Sequence, residues 1–446
     1  MINVIAVFDI GKTNKKLFLF DKNFDVVHSN TIRFQEVMDD DGFPCDDIDA
    51  IEQWIKNEIK TIQSQKEFNI KAINFSTHGA TLVYLDKDGN RITPLYNYLK
   101  PLDFDFNPFY QANGSVEEFS RKTASPAYGM LNAGLQMYWL KNNKPHFWNK
   151  VDAILHYPQY LSYLFSNEVS ADFTSVGAHT ATWDFDKMVY HEWLQKEDIC
   201  LPEPKPGKQA SISKINGQEI AVGMGLHDSS SSIIPLLESY DSLYREFILL
   251  STGTWIICMN PFSKETLTSQ QLKNNCLCFM TPDKRQIKSS MQFLGRVHEI
   301  NAIALSKYFK VSENHYLELT LNNELCLEIF NDSKKVFFPN EIAEDFIGDL
   351  DQLNCYDTYQ EAYYQLIYEI AYRVCQGIQR ILDKDNKLKE VFVSGGFNRN
   401  EIFIEFLTLM MPKQEIKFPK GKHASALGAA MLMKGYLLTD KNRMIC

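Results

Sequence analysis

The chain has 446 residues, 45% of them hydrophobic and 23% charged, with a formal net charge of −10. That length and balance predict two globular domains. The acidic total, with no block of Lys and Arg, excludes a nucleic-acid binder with a basic face, and the absence of an apolar run of about 20 residues excludes a membrane helix. The nine cysteines show no C-x-x-C spacing and the ten histidines no metal-ligand spacing. The reading is therefore a cytoplasmic protein with free thiols and neither a zinc site nor a signal peptide.

The first element is a hairpin, Val4 to Phe20, around the turn Gly11-Lys12-Thr13-Asn14. Ala6 to Thr13 fits a permissive P-loop pattern, but Val7, Phe8, Asp9 and Ile10 suit a strand and not a phosphate nest. An apolar run at 17–20 then predicts a second strand where a P-loop needs a helix. On this stretch alone, an ordinary hairpin with Gly and Asn in its turn stays open.

Isoleucines at three- and four-residue steps predict an amphipathic helix over 47–62. A strand at 72–75, the turn Ser76-Thr77-His78-Gly79 and a strand at 81–85 follow. Residues 97–125 read as irregular, and helices are expected near 131–141 and 158–166. Asp184 reads as a turn residue. A strand at 220–222 leads into Gly223-Met224-Gly225, then His227-Asp228-Ser229 and a run expected to stay helical until Pro235. Residues 237–245 change in character and mark the boundary between domains 1–240 and 241–446.

Directly after that boundary the opening pattern returns. A strand at 247–250, the turn Ser251-Thr252-Gly253-Thr254 and a strand at 255–259 suggest a duplicated fold with two facing turns. A long helix is expected over 359–382, then a strand at 391–393, the turn Ser394-Gly395-Gly396, a helix to Met411, and a closing helix over 424–437 rich in small residues. Gly428 within it costs ~1 kcal/mol relative to Ala, which implies close backbone approach. The stretch 313–355 has no assignment.

Glycine turns at strand ends expose N–H groups that cradle anions. Asp9 and Asp228 each end a strand beside Gly and Ser or Thr. Phosphoryl transfer uses such parts: donors for phosphate, a carboxylate for Mg²⁺, and a second carboxylate to take the proton of an attacking hydroxyl. For Asp228 alone, a helix N-cap is the competing reading.

Taken together, "DIGKTNKK", "GLHDSSSS", "LSTGTW", "VSGGFNRN" and "HASALGAAML" resemble, in order, the motifs of the FGGY carbohydrate kinases, actin-like ATPases that phosphorylate sugars. The resemblance implies an α/β fold of two actin-like domains, each a mixed sheet flanked by helices, with ATP in the cleft between them. It implies Asp9 as the Mg²⁺ residue and Asp228 as the catalytic base. ATP would contact Gly11, Lys12, Thr13, Asn14, Ser251, Thr252, Gly253, Thr254, Gly395, Gly396 and Asn400. The sugar would contact His78, Gly79, Tyr98, His227 and Asp228. The Gly-x-His-Asp form is nearest in style to rhamnulose and fuculose kinases. Tyr98 and Lys100 stand where relatives carry the Asp and Arg of a Trp-x-Asp-x-Arg segment, and Arg and Lys are not equivalent at such a site. The expected partner is a small-molecule sugar, with a homodimer left open. The alternatives are a chaperone-like or filament-forming actin-like ATPase, or a kinase of another polyol or pentulose.

Overall fold

A computed structural model describes residues 1–239, 245–332, 337 and 350–437. The expected boundary at residue 240 falls outside the described residues, as do 333–336 and 338–349 of the unassigned stretch.

The main strands are β1 (Ile2–Ile10), β2 (Lys15–Phe20), β3 (Val26–Ile32), β4 (Phe68–Thr77), β5 (Ala210–Ile215) and β6 (Gln218–Gly223), followed by β7 (Glu246–Thr252), β8 (Ile256–Asn260), β9 (Cys276–Met280), β10 (Gln286–Gln292), β11 (Leu388–Gly395) and β12 (Glu415–Lys417). The helices that frame the site are α1 (Ile48–Ser64), α2 (Asp228–Ser232), α3 (Leu294–Phe309), α4 (Tyr359–Arg380), α5 (Glu401–Met410) and α6 (Ala424–Leu432).

Two sheets carry the fold. The first runs β5-β6-β4-β1-β2-β3 and the second β9-β10-β8-β7-β11-β12. In each, the first strand of a hairpin pairs antiparallel with the second and parallel with a later strand: β1 with β2 and β4, β7 with β8 and β11. The same register shift recurs, between Val4 and Ile5 in β1 and between Glu246 and Phe247 in β7. Counting on from those bulges, Asp9 corresponds to Ser251 and Gly11 to Gly253. The duplication expected from the two hairpins is present in topology and in register.

The helices form for local reasons. Asp47 caps α1, its carboxylate accepting from the Ala50 N–H at 3.0 Å. Ile48, Ile51, Trp54, Ile55, Ile59 and Ile62 of α1 are buried in the core that covers the first sheet. The stretch expected to be irregular contains two short helices, Asn107–Ala112 and Val116–Lys122. Pro108 near the start of one and the Ser115 cap of the other supply start signals too short to give a periodicity. The helical run after Asp228 does not stop at Pro235, which lies in the first turn of a second helix, Ile234–Ser239, where its missing N–H costs nothing. Asp184, expected in a turn, ends the short strand Trp183–Asp184 and accepts from the N–H groups of Asp186 and Lys187 in the turn that follows.

The closing helix crosses back to the first sheet. Ala426, Ala429 and Ala430 of α6 pack with Ile5, Val7, Phe18 and Ala72. The packing of the first half therefore includes residues beyond 424. Gly428 meets α2 there, and a Cβ on it would lie 2.0 Å from the Ser231 carbonyl oxygen. Gly428→Ala gains helix propensity but forces two backbones apart. A net loss of ~1–3 kcal/mol, read as a lower urea midpoint, is the expected result; a midpoint equal to or above wild type would contradict this packing.

Candidate active site

Asp9, half-buried, stands one residue before the end of β1, between Lys16, its partner across the hairpin, and Ser76 of β4. Its Oδ1 accepts from the Ser425 hydroxyl of α6 at 3.3 Å. Burial first, then the charge of Asp228, push the Asp9 carboxyl up to about 6. The two carboxylates predicted to share the chemistry thus feel each other's charge.

The short strand Leu226–His227 pairs with the end of β4, which sets Asp228 at the first position of α2. Asp228 Oδ1 accepts from the Ser229 N–H at 2.6 Å and the Ser229 hydroxyl at 3.2 Å, and lies 3.4 Å from His227 Nε2. Oδ2 makes no hydrogen bond among the described residues, and the side chain is 34% exposed. His227 is buried, which lowers its pKa and holds it neutral at pH 7, with Asp228 opposing the shift and His78 adding to it. Its ring stacks on Phe279 of the second half, centroids 5.5 Å apart. Gly79 leaves room for that ring, since a Cβ there would lie 3.0 Å from it.

His78 and Tyr98 stand beside each other, with ring centroids 5.6 Å apart. The Tyr98 hydroxyl is pushed up by burial and then by the charges of Asp228 and Asp46. Lys100 turns elsewhere: it is buried, pairs with Asp39 at 2.6 Å and with Asp41, and lies over the Tyr96 ring. It does not join Asp228.

Asp46 is the residue that sequence reasoning missed. Its Oδ1 takes a hydrogen bond from Lys15 Nζ at 2.9 Å, and its Oδ2 lies 3.6 Å from His78 Nε2 and 3.9 Å from Lys12 Nζ. The His78 separation is an ion-pair distance, too long for a hydrogen bond. Burial raises the Asp46 carboxyl, but His78, Lys15 and Lys12 outweigh it and hold it down at about 2. Asp46 therefore ties the first glycine turn to the His78 loop. A carboxyl depressed in the folded state stabilises above its unfolded pKa, and that contribution is lost as pH falls toward the folded value. Asp46→Asn leaves Lys15, 2% exposed, without its counter-charge. A deficit of ~3 kcal/mol at pH 7 that shrinks toward pH 2–3 is expected from urea unfolding at both ends of that range; a deficit independent of pH would remove the ion pair from the account.

Of the first turn, the Gly11 N–H closes onto the Asn14 carbonyl at 3.0 Å, and the Asn14 side chain accepts from Arg33. Lys12 pairs with Glu36 at 3.0 Å. Lys16, one residue beyond Lys15 and opposite Asp9, makes no ion pair among the described residues.

The second turn is built like the first, with the Gly253 N–H closing onto the Trp255 carbonyl at 3.0 Å. The N-terminus of α3 abuts it, because Gly295 sits where a Cβ would lie 1.8 Å from the Gly253 carbonyl oxygen. Gly395 has φ +88° and the same closeness to the Thr252 carbonyl oxygen, so only glycine fits there. Thr252, Gly253, Thr254, Gly295, Gly396 and Asn400 line one cavity of about 620 Å³, with Tyr316 and His298 on its walls. The amide of Asn400 is committed, accepting from the Phe403 N–H as the cap of α5 and donating to the Tyr363 hydroxyl. Ser251 points away from this cavity and lines another. The start of the 16-residue α3 offers a positive dipole end without a side-chain cap, though the Arg296 N–H already donates to the Thr254 carbonyl at 3.2 Å.

A model of the N-terminal domain of the FGGY family of carbohydrate kinases matches residues 4–231. The chain belongs to that family. Among similar proteins, the rhamnulokinase of Yersinia pestis (strain Pestoides F) is 28% identical over 245 residues, 52% of this chain and 47% of the relative. The rhamnulokinase of Bacteroides thetaiotaomicron is 26% identical over 230 residues, 47% and 44% of the two chains. The match thus spans about half the length of these curated relatives. Two solved structures share the fold across nearly the whole chain. A carbohydrate kinase from Novosphingobium aromaticivorans has a TM-score of 0.81 at 18% identity, covering 96% of this chain and 91% of the other. Xylulose kinase from Lactobacillus acidophilus has a TM-score of 0.77 at 17% identity, covering 99% and 90%. The expected α/β fold, with two mixed sheets flanked by helices, is present. Among the described residues no helix is long and apolar enough to cross a membrane.

Proposed function

We propose that this FGGY family member transfers the γ-phosphoryl group of ATP to a hydroxyl of a ketose, of the rhamnulose or fuculose type. The observation that carries the reading is Asp228: a partly exposed carboxylate with one oxygen anchored by Ser229 and the other unengaged among the described residues, its charge felt by Asp9 and Tyr98. Oδ2 takes the proton of the sugar hydroxyl as it attacks. His227, with Nε2 3.4 Å from Oδ1 and its ring stacked on Phe279, links the base to the second half. His78 and Tyr98 position the sugar.

ATP occupies the cavity beside α3, its phosphates toward the two glycine turns and its adenosine against Gly396. Lys16, which makes no ion pair among the described residues, supplies positive charge at the first turn, whereas Lys12 is paired with Glu36. The donor set fits Mg²⁺: two half-buried carboxylates, the charge of one raising the pKa of the other, suit a hard cation that keeps several of its waters. Asp9 would hold it, and when bound it neutralises charge on the transferred phosphoryl group. The free thiols fit a reducing, cytoplasmic setting.

The test is ADP release with Mg²⁺ and ATP across a panel of ketoses and polyols. One or a few sugars should stimulate release at least ~10-fold. Release that is indifferent to every sugar would favour an actin-like ATPase of another kind.

A further inference from the structure

A second cavity, of about 610 Å³, lies on the other side of the Gly395-Gly396 turn. Its walls come from both halves: Ser232 and Leu236 from the segment after the base, Ser251 from the second hairpin, Asn398 and Arg399 after β11, and the run Pro419–Leu427 into α6. In a chain of net charge −10, its lining holds Lys420, Lys422, His423 and Arg399, the last shared with the nucleotide cavity, and no Asp or Glu. None of these four makes an ion pair among the described residues.

The duplication explains the change of sign. Ser251 stands where the first half has Asp9. Gly395 stands where β4 ends in Thr77, because each is the ladder partner of the last residue of its hairpin strand. The sequence entering α6, His423-Ala424-Ser425, matches His227-Asp228-Ser229 entering α2, so Ala424 replaces the base. The counterpart of the carboxylate site has lost both carboxylates and gained a basic rim.

Three further features suit an anion. His423 enters α6 at φ +59° with no side-chain cap, so the first N–H groups of a nine-residue helix lack a side-chain acceptor. Lys16 and Lys422 add to burial in lowering the His423 pKa, so both cations act on this helix start. The Asn398 side-chain oxygen is buried without a hydrogen-bond partner, and turning the amide over would present N–H donors instead. The floor is apolar, formed by Leu236, Leu249 and Leu427.

We propose that this cavity is a second ligand site, distinct from the nucleotide cavity, for a small phosphorylated metabolite. Its phosphate lies at Arg399, Lys420 and Lys422 and its less polar body on the leucine floor. Because the occupant touches both halves, it favours one arrangement of them over the other.

The test uses the full chain and inorganic pyrophosphate as the probe, followed by calorimetry with and without saturating Mg²⁺ and a non-hydrolysable ATP analogue. One pyrophosphate per chain should still bind when the analogue is saturating. Lys420→Ala/Lys422→Ala, both exposed positions, should weaken pyrophosphate at least ~10-fold and leave the analogue's affinity within ~2-fold, since each phosphate contact to a cation is a charge-assisted bond. A hexose monophosphate binding more tightly than pyrophosphate would support the leucine floor. Loss of pyrophosphate binding when the analogue is present would assign the lysines to the nucleotide site and overturn the proposal. So would pyrophosphate binding that the double variant does not change, or no binding at millimolar concentration. The arm without nucleotide reads this cavity even if the chain proves not to be a kinase.

Discussion

Asp228→Asn is expected to bind nucleotide as wild type does and to lose ~10²–10⁴ of turnover, the usual contribution of a positioned general base. The argument is geometric. The amide oxygen can keep the bonds from Ser229 that anchor Oδ1. What it cannot do is accept a proton at the second position. The loss should therefore fall on kcat, with KM for both substrates little changed, because the interaction is made in the transition state. A variant with near wild-type kcat would move the base elsewhere. A variant that no longer binds nucleotide would mean that Asp228 holds the fold of the cleft and does not act on the sugar.

Asp9→Asn is expected to abolish sugar phosphorylation and at the same time to raise the stability of the metal-free protein. Burial and Asp228 lift the Asp9 carboxyl from its ordinary value to about 6. Its native pKa therefore lies above its unfolded one, so between about pH 4 and pH 6 the native state binds more protons than the unfolded state. Stability falls as pH rises through that window. The shift of about two units corresponds to ~3 kcal/mol at neutral pH, which the neutral amide avoids. Metal-free thermal melts should show wild type losing stability from pH 4 to pH 6, with Asp9→Asn not sharing that loss. Mg²⁺ should raise the wild-type melting temperature and leave the variant's unchanged. A less stable variant at pH 7.5, or an equal response to Mg²⁺, would contradict the reading of Asp9 as a strained carboxylate waiting for a cation.

The parts of the site that lie on one strand and its following turn were legible in the sequence. A dense apolar run, a carboxylate and a glycine turn place Asp9 and Gly11 without tertiary information, and the repeat of that pattern at Gly253 announces the second half. Asp228 was readable because its strand end and helix start are adjacent in sequence. What stayed hidden depends on contacts between distant segments. Asp46 lies in an acidic run before α1, and only the fold brings it to Lys15 and His78. Gly295 has no turn signal, since its need for hydrogen in place of a side chain arises from the Gly253 carbonyl. Lys12 reads as a phosphate ligand by its place in the motif, yet Glu36 engages it. Lys100 matches a sugar-contact position in spacing but is held by Asp39 and Asp41. The return of α6 to the first sheet is likewise a matter of topology, since a cut drawn along the chain assigns it to the second domain.

The most direct test is the stoichiometry of a single reaction: mass-spectrometric product detection alongside ADP for the best ketose, with wild type and with Asp228→Asn. One monophosphorylated sugar per ADP from wild type, and neither from the variant, is the predicted result. ADP formed without a phosphorylated sugar, or formed equally by both proteins, would contradict it.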